Sequence, residues 1–122
     1  MKLYETITAG GVEYKLKITA LRAVELEREL ETDLLSGLEK LTNISVLGKY
    51  YYAAMQPMND INSISNVYSM FDDYITDGGT YEKLQELLIE TLVTSGIMTR
   101  EAYDSSKKIM EKQKEALKKL SE

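Results

Sequence analysis

The sequence predicts a mainly α, compact helical domain of five to six helices carrying an N-terminal β-hairpin. Three observations predict it. Val12, Tyr14, Leu16 and Ile18 alternate with Glu13, Lys15, Lys17 and Thr19, the period of a half-buried strand. From Leu21 onward the rhythm changes, and Leu21, Val24, Leu26, Leu30 and Leu34 recur at largely helical spacing. The length of 122 residues is enough for one core and too short for two. One domain over 1–122 is therefore expected: hairpin 1–18, helical body 19–97, and a charged C-terminal helix 98–122 that frays at its end.

Lys2–Thr8 and Val12–Ile18 are strand-like runs joined around Ala9-Gly10-Gly11. Glycine accepts the positive φ angles of a tight hairpin turn. An isolated hairpin is marginal in water. The face of Val12, Tyr14, Leu16 and Ile18 is therefore expected to rest on the helices.

Thr19 suits an N-cap for a first helix ending near Glu31. Thr32 is the expected cap of a short second helix, Asp33–Leu41, with Leu34, Leu35, Leu38 and Leu41 inward. Thr42–Ser45 forms a break rich in capping residues, and a third helix runs from about Ser45 to Gln56. Pro57 stops it, because proline has no N–H for a continuing ladder.

Asn59 and Asp60 are expected to open a fourth helix, Ile61–Thr76, with Ile64, Val67, Tyr68, Phe71 and Ile75 on one face. Asp77-Gly78-Gly79 ends it as a left-handed cap. Thr80 caps a fifth, Tyr81–Ser95, with Leu84, Leu87, Leu88 and Leu92 inward and Gly96 as terminator. Thr99 caps the last, Arg100–Leu120.

Composition narrows the chemistry. The chain has no histidine and no cysteine, which removes the usual general base near neutral pH, the commonest transition-metal ligands and the thiol nucleophile. No window approaches the roughly 20 apolar residues of a membrane span, and no stretch resembles a signal peptide. A soluble, intracellular protein is expected, with no membrane partner. The net charge of −5 is uneven: residues 107–122 hold six lysines against three glutamates, which leaves −8 on residues 1–106. Such a body repels phosphate backbones, so nucleic acid is not an expected partner.

Several strings resemble reactive motifs and fail on spacing. Asp73, Asp77 and Gly78 fit three positions of a calcium loop, but Ile75 and Leu84 stand where carboxylates are needed. Ser105-Ser106-Lys107-Lys108 matches S-x-x-K without the companion motifs that build that pocket. The pairs Gly10-Gly11 and Gly78-Gly79 lack the lysine of a phosphate loop. Adjacent Asp72 and Asp73 point in different directions on a helix, which makes them poor acid–base partners. No catalytic residue, cofactor or metal ligand is expected.

Two surfaces are candidates for protein contact. In Lys49-Tyr50-Tyr51-Tyr52-Ala53-Ala54-Met55 three consecutive tyrosines span about 200° of a helix, too wide an arc for one core. Tyrosine and methionine suit interfaces, so Tyr50, Tyr51, Tyr52, Met55 and Met58 are candidate contact residues. The bland alternative puts Leu47, Tyr51, Ala54 and Met58 in the core and lays the other tyrosines on the surface. In the last helix Ile109, Met110, Ala116, Leu117 and Leu120 form a narrow stripe amid lysine and glutamate. Its occupant is the same chain, a copy of it, or a partner helix.

The assembled order resembles the small tail assembly chaperones of long-tailed bacteriophages, particularly those infecting Gram-positive hosts. The resemblance rests on Tyr14-Lys15-Leu16-Lys17-Ile18-Thr19 leading into the Leu/Glu-rich segment Leu21–Leu30, and on Leu34-Leu35-Ser36-Gly37-Leu38. It continues through Tyr51-Tyr52-Ala53-Ala54, Phe71-Asp72-Asp73-Tyr74-Ile75 with Gly78-Gly79, and Ser95-Gly96-Ile97, covering roughly residues 1–100. It implies a non-enzymatic protein that coats the tape measure protein and keeps it soluble until tail-tube subunits polymerise around it. The implied partners are the tape measure protein, the tail tube protein and further copies of the chain. The implied location is the bacterial host cytoplasm during assembly, with the protein absent from the mature virion. The alternatives are a structural head–tail completion protein retained in the virion, or a small helical interaction adaptor.

Overall fold

The computed structural model describes residues 2–120, with the side chains at 106, 109, 110, 113 and 114 outside that description. A two-stranded antiparallel hairpin, β1 (Glu5–Ala9) and β2 (Val12–Leu16), precedes the helices. These are α1 (Ala20–Leu30), α2 (Leu34–Gly37) with a following 3₁₀ turn (Leu38–Lys40), α3 (Ile44–Met55), α4 (Ile64–Thr76), α5 (Tyr81–Thr94) and α6 (Arg100–Leu120). The mainly helical class with its N-terminal hairpin is as the sequence predicts.

The hairpin turn is Gly10-Gly11, with φ of 57° and 76°. Two consecutive positive φ angles are what a two-residue type I′ connection requires. The Gly10 N–H donates to Asp77 Oδ2 at 2.8 Å, tying the hairpin tip to the end of α4. Register pairs Glu5 with Leu16, Ile7 with Tyr14 and Ala9 with Val12, so these residues share one face. That face packs inward at Ile7, Ala9 and Leu16. Val12 departs from the expectation: it lies on this face but is 49% exposed, although its cross-strand partner Ala9 is buried. Glu5 is buried, and its carboxylate accepts from Lys2 Nζ at 2.9 Å and Thr94 Oγ1 at 2.6 Å.

Helix α3 is the centre of the body. It contacts α1, α4, α5 and β2, and its Leu47, Tyr50, Tyr51, Ala54 and Met55 are sealed. Aromatic rings extend this core: Tyr51 meets Phe71 edge-on at 5.2 Å, and Phe71 meets Tyr81 edge-on at 6.0 Å. Helix α5 adds Leu84, Leu88, Ile89 and Leu92.

Caps fix the helix ends. Thr19, Thr80 and Thr99 receive the N–H of Arg22, Lys83 and Ala102 on their hydroxyls, as the sequence indicates. Both glycine terminators are Schellman motifs. Gly79 N–H donates to Tyr74 O and Gly78 N–H to Ile75 O. After α5, Ile97 N–H donates to Leu92 O and Gly96 N–H to Val93 O.

Four local expectations are corrected. In α1, Leu21 and Val24 are 63% and 46% exposed, and Leu26 with Ala23 and Leu30 faces the core. The apolar residues of this helix cover more arc than one core can take. The second helix is capped by Asp33, not Thr32, with Asp33 accepting from Ser36 N–H at 3.1 Å, and Leu35 points outward. These hydrogen bonds with Ser36 hold the Asp33 carboxyl below its ordinary range. Helix α4 starts at Ile64 rather than Ile61, behind a capping box of Ser63 and Asn66. On α4 Met70 is buried, while Ile75 is 36% exposed.

Asn59 explains the later start of α4, because its side chain is engaged elsewhere. Its Oδ1 accepts from Lys15 N–H at 3.0 Å, and its Nδ2 donates to Lys15 O at 2.6 Å and Met55 O at 2.7 Å. The amide thus clamps β2 to the end of α3.

Candidate functional site

The tyrosine run of α3 divides by direction. Tyr50 and Tyr51 are fully buried, and about 100° apart around the helix they meet different neighbours. Tyr50 O–H donates to Leu34 O at 2.5 Å and Tyr51 O–H to Leu84 O at 2.6 Å. Burial pushes both phenols well above their ordinary range. Met55 is sealed beside them. Tyr50, Tyr51 and Met55 are therefore core residues and not contact surface, which corrects the sequence expectation. The physical reason is that three layers (α1 with α2, the β2 strand, and α4 with α5) wrap α3 from different directions. A 200° arc can be buried when more than one neighbour covers it.

Tyr52 is the exception. It is half-buried and lines a cleft of about 680 Å³ between α1, α3 and the loop leading into α4. Leu26, Ala53, Tyr52 and Ile64 provide apolar surface. Arg22, Glu25, Arg28 and Glu29 from α1 and Lys49 from α3 supply charged rims. Gln56, Asn62 and Ser63 close one end with polar groups. The Tyr52 hydroxyl reaches Asn62 O at 3.5 Å. Arg22 Nη1 and Glu25 Oε2 pair at 3.1 Å, so one cation and one acid of the rim compensate each other.

Helix α3 contributes Lys49, Tyr52, Ala53 and Gln56 to the cleft, and the small Ala53 leaves room between Tyr52 and Gln56. Gly48 admits the ring of Tyr68 so closely that a Cβ there would lie 2.7 Å from Tyr68 Cε1. The rims come from α1, where Glu and Arg alternate around Leu26. An apolar floor between charged walls suits the greasy face of an amphipathic helix, whose polar flanks then meet the rims. Among the described residues no group of three His, Cys, Asp or Glu side chains is placed to hold a metal ion.

Met58 is 42% exposed in the loop after α3 and does not line the cleft. On α6, Leu117 and Leu120 are 68% and 85% exposed. The side chains of Ile109 and Met110 lie outside the described residues. The first turn of α6 is anchored: Arg100 Nη1 and Nη2 reach Glu90 Oε2 and Oε1 at 3.1 and 2.7 Å. Arg100 also stacks over the Tyr103 ring at 5.1 Å. The Arg100 hydrogen bonds hold the Glu90 carboxyl below its ordinary range, and burial raises the Tyr103 phenol. From Asp104 to Leu120 every described side chain is exposed.

Sequence reasoning missed Leu26, Ile64 and the α1 rim. The available signal was the excess of apolar positions on α1, which implied that this helix serves more than one surface.

No family model, curated protein or solved structure matches this chain.

Proposed function

We propose that this protein is a non-enzymatic phage tail assembly chaperone that binds the tape measure protein and keeps it soluble during tail morphogenesis. The observation that carries this reading is the cleft between α1 and α3, with its apolar floor and charged rims. A tape measure protein is long and helical, and such a client presents amphipathic turns in succession. The cleft takes about two turns at a time: α1 from Arg22 to Glu29 spans about 10 Å at 1.5 Å per residue. Shallow, repeated contacts of this size are individually weak and releasable, which a holder displaced by tail-tube subunits requires. The acidic body adds net charge that keeps a loaded complex dispersed. The resemblance of residues 1–100 to tail assembly chaperones supports the same reading.

Co-expression with the tape measure protein of the same genome tests it. The client is expected to co-purify and to move from the pellet to the soluble fraction. Ile64→Glu places a charge in the cleft at the first position of α4, where the helix N-terminus favours an acid, and circular dichroism checks that the variant remains folded. Recovered client should fall by about tenfold in that variant, about 1.4 kcal/mol of binding. No co-purification and no gain in solubility with the unmodified protein refutes the proposal.

A further inference from the structure

Strand β1 has an open edge. Residues in an antiparallel ladder alternate between pairs that bond each other and pairs whose N–H and C=O groups turn away from the partner strand. Lys15 is of the second kind, because its N–H and C=O are bonded outward to Asn59. Its ladder partner Thr6 therefore turns its own N–H and C=O outward on the opposite side, and Thr8, paired with Glu13, does the same one repeat along. Among the described residues nothing bonds to these groups, and both threonines are exposed.

The other edge of the hairpin is taken. Asn59 covers Lys15, and Lys17 N–H donates to Ala54 O at 3.0 Å, so α3 and the loop after it occupy the β2 side. Open edges are commonly protected by proline, lysine or a bulge. Glu5–Ala9 contains neither residue, and its one-to-one register has no bulge. Its only charge, Glu5, is turned inward and held by Lys2 and Thr94.

Alternating donors and acceptors along an edge are satisfied by another extended strand. A second β1 fits without adjustment. With a two-fold axis at Ile7, the midpoint of the five-residue strand, antiparallel copies overlap over their full length and Thr6 of each faces Thr8 of the other. Both residues are turned outward, so each such pair exchanges its N–H···O bonds and no backbone group of Thr6 or Thr8 is left unpaired. A shift by one residue would set outward groups against inward ones. Each row across the joined sheet then runs from Lys15 and Thr6 of one copy to Thr8 and Glu13 of the other, so unlike charges end every row. An uncharged, self-complementary edge selects a second copy over a charged peptide strand.

We infer that two copies of this chain associate edge to edge through β1, forming a continuous antiparallel sheet in the order β2-β1-β1-β2. The contact involves neither the client cleft nor α6, and it does not depend on the reading of the cleft. It is small and made mainly of backbone, so the dimer is weak and reversible.

Sedimentation equilibrium and amide hydrogen exchange of the full chain, each over a range of concentrations, test the inference. Mass should rise from the monomer and stop at the dimer, because pairing uses up the open edge. The Thr6 and Thr8 amides should exchange freely in dilute solution and slow as the dimer forms. Glu13 turns its N–H to the far side of the hairpin, and its exchange should not follow the dimer. Thr6→Lys with Thr8→Lys sets like charges directly opposite each other and should raise the dissociation constant about tenfold. Mixing that protein with Thr6→Glu, Thr8→Glu should restore association. Both side chains are exposed, circular dichroism checks the folding of the variants, and the amide measurement on the unmodified chain stands without them. A monomer at every concentration overturns the inference. So does association that leaves the Thr6 and Thr8 amides unprotected, or that folded Thr6→Lys, Thr8→Lys protein undergoes unchanged.

Discussion

The Tyr51 hydroxyl donates to the Leu84 carbonyl at 2.6 Å, joining the middle of α3 to the start of α5 from a fully buried position. The bond makes the tyrosine specific. A phenylalanine of the same shape would fill the space and leave the carbonyl without this donor. Tyr51→Phe is expected to lower stability by about 1–2 kcal/mol, and Tyr51→Ala by about 3–5 kcal/mol. Urea denaturation with an unchanged m-value provides the measurement.

Gly37 and Tyr50 form a second coupled pair. Gly37 has an ordinary helical φ of −64°, so alanine fits its backbone. Its Cβ, however, would collide with the Tyr50 hydroxyl and come within 3.1 Å of Leu30 Cδ1. Helix propensity favours alanine over glycine by about 1 kcal/mol, and overpacking costs about 1–3 kcal/mol. Gly37→Ala should therefore destabilise. In the background of Tyr50→Phe, which removes the obstructing oxygen, the same change should cost less. A double-mutant cycle measures that difference, and strict additivity would contradict it.

Asn59 holds three backbone groups of two separate elements. Asn59→Ala should cost about 2–4 kcal/mol, since each abandoned buried partner costs about 1–3 kcal/mol and water recovers part of it. Asn59→Asp is the sharper test. It keeps the acceptor for Lys15 N–H but turns the donating nitrogen into an oxygen facing the carbonyls of Lys15 and Met55. Hydrogen exchange of β2 amides should quicken in both variants.

Glu90 and Arg100 fasten the first turn of α6 to α5. The Glu90 carboxyl titrates below its ordinary 4.5 because Arg100 donates to it. A depressed carboxylate stabilises the folded form above the unfolded value, and that contribution fades as pH falls through the folded value. Protection of the amides in the first turn of α6, taken as exchange relative to the intrinsic rate at each pH, should therefore fall in the natural chain as pH drops below the ordinary carboxylate range. In Glu90→Gln that protection should already be low at neutral pH and change little on acidification. An unchanged pH profile in that variant would remove the anchoring role.

Much of the architecture was legible along the chain. Gly10-Gly11, Gly78 and Gly96 sit where positive φ is required. Thr19, Thr80 and Thr99 cap the helices they precede, because these signals act over three or four residues and need no distant partner. The side of each element that becomes interior is a different matter. The tyrosine run of α3 carries no mark distinguishing Tyr51 from Tyr52. One is sealed because α5 offers it a carbonyl, and the other edges a cleft because α1 stands away from it. Asn59 has the composition of a helix cap and serves instead as a clamp, since β2 arrives beside it from 44 positions away in sequence. Leu21 and Val24 form one apolar stripe of α1 and Ala23, Leu26 and Leu30 another on a different side, yet only the second meets the core. Local chemistry determined where helices and turns begin and end. Only the packing of distant segments decided which apolar side chains are spent on the core and which remain to be offered outward, because burial depends on what the rest of the chain brings to that spot.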